Sequence, residues 1–174
     1  NISHGQVLEI SEPPHSATKK HWRRVILGKF AGLFGAGAQS AAYWGGADNL
    51  TASILFSFGE HVGMAVKLKT DLNELGKKNF VKQKIKNYEL WSPICFLLHE
   101  CLPDNQRLEI SKKIQNEADD PETVNEIINL IKEHDLTDMV KSVAEKELKL
   151  AKECLLNLEI DTRPLLPLTQ FSVI

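Results

Sequence analysis

Along most of the chain apolar residues recur every three or four positions, the period of an α-helix with one buried face. Trp22, Val25, Ile26, Phe30, Leu33 and Phe34 form such a stripe, which predicts a helix from Ser16, an N-cap residue type, to about Trp44. The second half of that segment, GLFGAGAQSAAYWGG, is rich in small residues. Gly32, Gly35 and Ala36 would let another helix approach closely, and Gly45-Gly46 would end the helix. Asn49 is read as the cap of a second long helix, Leu50 to Leu75, with Gly76 as its terminator. At 1.5 Å per residue that helix would be about 39 Å long. The two helices are expected to pack antiparallel.

The flanking segments follow the same logic. Residues 1–10 read as the end of a helix, broken over Ser11 to Pro14 by two consecutive prolines. Lys77 to Asn87 carries five lysines and is expected to be a surface loop or a weak helix. Ser92-Pro93 opens a helix, PICFLLHECL, apolar on most sides and therefore buried. A short polar helix follows from Arg107 to about Glu117. Another starts at Asp120-Pro121, with Val124, Ile127, Ile128 and Ile131 on one stripe. The last long helix starts at Asp135 or Thr137 and ends before Arg163-Pro164, and the apolar tail LLPLTQFSVI forms a short closing helix. No turn dipeptide separates alternating apolar runs, so the fold class is all-α.

Composition narrows the functional classes. Of 174 residues, 43% are hydrophobic and 25% charged, which excludes a disordered or fibrous chain. The formal net charge of -2 argues against nucleic acid as a partner. No apolar stretch reaches the roughly 18 residues of a membrane span. The opening residues, NISHGQVLEI, lack the basic start and apolar core of a secretory signal. Because the first residue is Asn, the chain is expected to be preceded by further sequence. Three cysteines, an odd number without a CxxC, read as reduced thiols of a cytoplasmic protein.

The six histidines are scattered, and no HExxH, phosphate-loop or GxSxG motif occurs. Asp71 and Glu74 stand three apart on one face of the second long helix. Two oxygen ligands on one face suit a hard cation such as Mg²⁺, which completes its shell with water and phosphate. The simpler reading is that Asp71 pairs with Lys67 four residues earlier, and Glu74 with Lys77 or Lys78. Lys29, in an otherwise apolar stretch, either snorkels to the surface or meets an anion.

Five local patterns, in order over nearly the whole chain, resemble the C-terminal half of the trans-isoprenyl diphosphate synthases, the polyprenyl synthetase family. Gly5-Gln6-Val7-Leu8-Glu9 resembles that family's helix ending in Gly-Gln and an acidic residue. Ile26 to Phe34, ILGKFAGLF, resembles its KTGxLF helix. Phe58 to Glu74 resembles GxxxGxAFQxxDDxxD, Trp91-Ser92-Pro93-Ile94 resembles the Thr-Leu-Pro opening of the next helix, and Ala151 to Leu158 resembles a closing AKxxLxxL helix. The chain departs from these patterns at several positions. Phe30 replaces the Thr of Lys-Thr, Val66-Lys67 replace Phe-Gln, and Thr70-Asp71 with Glu74 stand where three aspartates would.

The resemblance implies a helical bundle of the isoprenoid synthase type, of which residues 1–174 would be the C-terminal portion. It implies Mg²⁺-dependent condensation of an allylic diphosphate with isopentenyl diphosphate by the full-length protein, in a homo- or hetero-oligomer such as a dimer. Asp71 and Glu74 would be metal ligands, and Lys29 and Lys67 would contact diphosphate. A first aspartate-rich motif would lie upstream. The alternative is a non-catalytic family member acting as a partner subunit or prenyl-binding protein.

Overall fold

The computed structural model describes residues 2–11, 18–75, 77–87 and 90–170, and among them every regular element is helical. The elements are α1 (Ile2–Ser11), α2 (Lys19–Ile26), α3 (Gly32–Trp44), α4 (Asn49–Leu75), α5 (Lys78–Lys86), α6 (Ser92–Phe96), α7 (Asp104–Asn116), α8 (Pro121–Glu133) and α9 (Leu136–Leu156). π-Helical turns, Leu27–Ala31 and Leu97–Cys101, extend α2 and α6, and a 3₁₀ segment, Arg163–Thr169, follows α9. The expected Ser16 cap, the Pro13-Pro14 break, the Gly76 stop and the end of the apolar tail lie outside the described residues.

Side-chain caps start α2, α8 and α4. Thr18 Oγ1 accepts from the His21 N–H at 3.2 Å and Asp120 Oδ2 from the Thr123 N–H at 2.8 Å. At α4 the cap is Asp48, whose Oδ1 accepts from the Thr51 N–H at 2.7 Å. Asn49, expected as the cap, is already the first helical residue. The lysine-rich segment is a full amphipathic helix, α5, because Val81 and Ile85 are buried while Lys82 and Lys86 face water. The last long helix stops at Leu156, before the predicted end at Arg163-Pro164.

α4 is the centre of the bundle, with α3 packed antiparallel on one side and α9 on another. The α3–α4 crossing is close. A Cβ on Gly59 would lie 2.4 Å from the Phe34 carbonyl oxygen and 2.8 Å from Gly35 Cα, so only glycine fits there. Of the small residues expected at the crossing, Gly35 is part of it. Gly32 instead faces the Leu27 carbonyl of its own π-turn, and Ala36 is exposed. The main core joins Trp22 to α4, α6, α8 and α9, and Trp22 meets the Phe96 ring edge-on with centroids 5.4 Å apart. A smaller core gathers Phe58 and Val62 of α4 with Ala151 and Leu155 of α9.

Glu147 of α9 sits within this framework only 3% exposed. It accepts a bidentate contact from the Arg23 guanidinium of α2 and lies 2.7 Å from His61 Nδ1 of α4. Burial alone would push this carboxyl up. The hydrogen bonds from His61 and Arg23, with their charges, hold it below the usual glutamate range. One carboxylate thus ties three helices together.

Candidate functional site

A second close approach builds the site. Gly5 of α1 and Gly28 of the first π-turn touch backbone to backbone, and a Cβ on Gly5 would lie 2.5 Å from the Lys29 nitrogen. The π-turn adds a residue to the helical turn at this point and aims Lys29 toward α1. There Lys29 Nζ donates to Glu9 Oε2.

Glu9 and Lys29 line a cavity of about 280 Å³ with Ile26, Phe30, Lys67, Thr70, Lys84, Leu90 and Trp91. Its rim carries three lysines, from the first π-turn, α4 and α5, against one carboxylate. Its apolar wall is Ile26, Phe30, Leu90 and Trp91. Trp91 is 1% exposed and its indole Nε1–H is buried with no hydrogen-bond partner among the described residues.

Lys67 lines the cavity as well, on the next turn of α4 before Thr70 and Asp71. Asp71 lies behind it, 0% exposed. Its Oδ1 accepts from Lys67 Nζ. Its Oδ2 accepts from the Ser92 backbone N–H at 3.2 Å and from Ser92 Oγ at 2.7 Å. The carboxylate therefore fastens α4 to the start of α6. Glu74 faces α5, where Lys84 Nζ is 3.4 Å from its Oε2. The ion pair of Glu74 is thus with Lys84; the Lys78 side chain, one of its expected partners, lies outside the described residues.

These positions decide how the expected site is assembled. Lys29 and Lys67 share one cavity, while Asp71 and Glu74 stand behind its wall. Both oxygens of Asp71 are engaged, and Thr70 offers a hydroxyl that donates to the Val66 carbonyl at 2.9 Å. Among the described residues no three His, Cys, Asp or Glu side chains converge as a metal site. Mg²⁺ needs carboxylate oxygens that face it; those of Asp71 are engaged, whereas Glu74 Oε2 is buried with the 3.4 Å ion pair to Lys84 and no hydrogen bond among the described residues. Lys84, Glu9 and Trp91 complete the site without having been singled out as ligands in the sequence. Lys84 was one of five lysines in a polar run, and only burial of Val81 and Ile85 fixes which way it turns.

A broader groove of about 570 Å³ lies on the other side of α1, lined by His4, Leu8, Arg24, Leu27, Leu33, Phe56 and Glu60, among others. Burial raises the Glu60 carboxyl above its ordinary value, against the opposing charges of His61 and Arg23. Burial also pushes the Cys95 thiol up to about 12, so it is not a thiolate nucleophile at neutral pH. Among the described residues no helix is long and apolar enough to cross a membrane.

Comparison with known proteins places this arrangement. The sequence model of a family described as polyprenyl synthetase matches residues 1–131. A prenyl transferase of Cyanophora paradoxa is 26% identical over 137 residues, covering 75% of this chain and 40% of that protein. Among solved structures, a polyprenyl synthase from Roseobacter denitrificans superposes with a TM-score of 0.86 at 22% identity, over 99% of this chain and 58% of that one. A polyprenyl synthase from Caulobacter crescentus CB15, complexed with calcium and isoprenyl diphosphate, gives 0.81 at 20% identity, over 99% and 55%. At these identities the structural likeness carries the fold. The chain spans between 40% and 58% of the length of these relatives.

Proposed function

The chain belongs to the polyprenyl synthetase family, and on that premise we propose that the full-length protein is a prenyltransferase of isoprenoid biosynthesis, joining an allylic diphosphate to isopentenyl diphosphate. The observation that carries this reading is the cavity at the meeting of α1, the first π-turn and α4. It offers Lys29 and Lys67 to an anion and an apolar wall to a hydrocarbon.

The chemistry asks for those two features together. Ionisation of an allylic diphosphate leaves negative charge on the departing phosphates, and fixed cations at that point lower the barrier. Lys29 and Lys67 are proposed to hold the diphosphate and neutralise that charge. Ile26, Phe30, Leu90 and Trp91 would exclude water from the adjoining carbon. Any divalent ion the reaction uses is assigned no ligand among the described residues. The reading takes the working protein as cytoplasmic and oligomeric. The exposed Tyr43, Trp44 and Leu50 about the α3–α4 turn support an oligomer.

The test is turnover by the full-length protein: radiolabelled isopentenyl diphosphate incorporated onto dimethylallyl, geranyl or farnesyl diphosphate. Extractable labelled product, reduced at least about tenfold by Lys29→Ala, is the expected result. No product from any of the three allylic partners would replace this reading with the non-catalytic one.

A further inference from the structure

Beyond the transferase reading, and independent of it, we propose that the exposed face of α5 docks this protein on an anionic membrane surface. From Lys77 to Asn87 the chain carries five lysines and no acidic residue, although its formal net charge is -2. α5 turns much of this charge outward, because Val81 and Ile85 are buried and hold the helix to the bundle. Asn79 and Gln83, on the opposite side, are exposed and form its crest. Lys82 and Lys86, four apart, line one flank with side chains 46% and 57% exposed. Phe80, 40% exposed, stands on the other flank, with the Lys77 ammonium 5.3 Å from its ring centroid.

Charge on this face is only partly neutralised. Around the cavity each lysine has its own carboxylate: Lys29 has Glu9, Lys67 has Asp71 and Lys84 has Glu74. On the outer face of α5, Lys82 and Lys86 share Asp119, at 3.9 and 3.0 Å, and Lys77 lies against an aromatic ring. Lysines on an amphipathic helix, with an aromatic side chain among them, suit a helix that lies on anionic headgroups. A convex helix face offers no groove to the apolar anchors of an acidic protein, whereas a bilayer needs only a spread of positive charge. α5 also bounds the cavity, through Lys84, so docking would bring the cavity close to the lipid.

The test is co-sedimentation of the full-length protein with vesicles of phosphatidylcholine, alone or with about 30 mol% phosphatidylserine, at about 50 mM and about 500 mM salt. Binding to the phosphatidylserine vesicles is expected, at least about tenfold stronger than to phosphatidylcholine alone and weakened by salt. Each lysine near such a surface strengthens binding about fivefold. The double variant Lys82→Glu with Lys86→Glu, at two exposed positions, should therefore bind about twentyfold more weakly or worse, with unchanged helical circular dichroism. Asp119→Asn removes the carboxylate those lysines share and should tighten binding about fivefold, a gain that lysines serving only as surface ion pairs would not give. No binding to either vesicle, equal binding to both, undiminished binding by the folded double variant, or no gain in Asp119→Asn would overturn the proposal. Retention on polyglutamate without binding to vesicles would overturn it too, and assign the face to an acidic protein. Turnover is read separately: a protein that transfers prenyl groups but ignores the vesicles keeps the transferase reading and loses this one.

Discussion

At the residue scale, Asp71 shows how one side chain can look like a ligand and serve as a fastener. Its spacing from Glu74 and from Lys67 was legible in the sequence, because positions three and four apart share a helix face. The pairing with Lys67 is one of the two readings that spacing allowed. The Ser92 contacts were not legible, because they join residues 21 apart in the chain through a fold that had to exist first. Asp71→Ala would strand the Ser92 N–H and the Lys67 ammonium together. Chemical denaturation should show a loss of about 3 kcal/mol. Asp71→Asn keeps an acceptor for Ser92 and should lose only about 1–2 kcal/mol. Equal losses would mean that the hydrogen bonds to Ser92 add nothing.

At the scale of elements, helical periodicity disclosed the long helices well, since each buries one continuous stripe. The π-turn at Leu27–Ala31 was hidden, because a single widened turn leaves the apolar stripe almost unchanged. It nevertheless decides where Lys29 points. The α3–α4 crossing was anticipated from the small residues of α3, and Gly35 has no room for a Cβ; Gly59 on α4 is tighter still. Gly59→Ala should push the helices apart and cost about 1–3 kcal/mol in thermal or chemical unfolding.

The Glu147 junction was invisible for a different reason. A glutamate in the charged run Glu145-Lys146-Glu147 of α9 reads as the solvated side of a helix until α2 and α4 are seen to close over it. Its folded pKa lies below the ordinary glutamate value of 4.5. The stabilisation it gives is therefore complete above about pH 4.5 and is lost as pH falls through the lower, folded value. Glu147→Gln should destabilise the protein at pH 7 by about 1–3 kcal/mol, because Arg23 and His61 keep one acceptor oxygen but lose the charge and the second oxygen. The wild type and the variant should converge in stability as the pH falls through that lowered value. A gap that nowhere narrows below pH 4.5 would show that the charge is not what matters.

At the scale of the whole molecule, the sequence disclosed the all-helical class and the family pattern, while the cavity came only with the fold. Lys29, Lys67 and Lys84 come from elements far apart in the chain, and no local pattern announces that they meet. The molecule also leaves large apolar side chains in water, with Trp44 98% exposed and Leu50 70% exposed. Light scattering should find a species heavier than the monomer, and Trp44→Glu should shift it toward the monomer.

The central claim, proposed above, is that the cavity holding Lys29 and Lys67 receives the prenyl diphosphate. The most direct measurement is a crystal structure of the full-length protein grown with an allylic diphosphate and Mn²⁺. The account predicts phosphate density in contact with Lys29 and Lys67 and hydrocarbon density against Phe30 and Trp91. Diphosphate bound elsewhere, with this cavity empty, would contradict it.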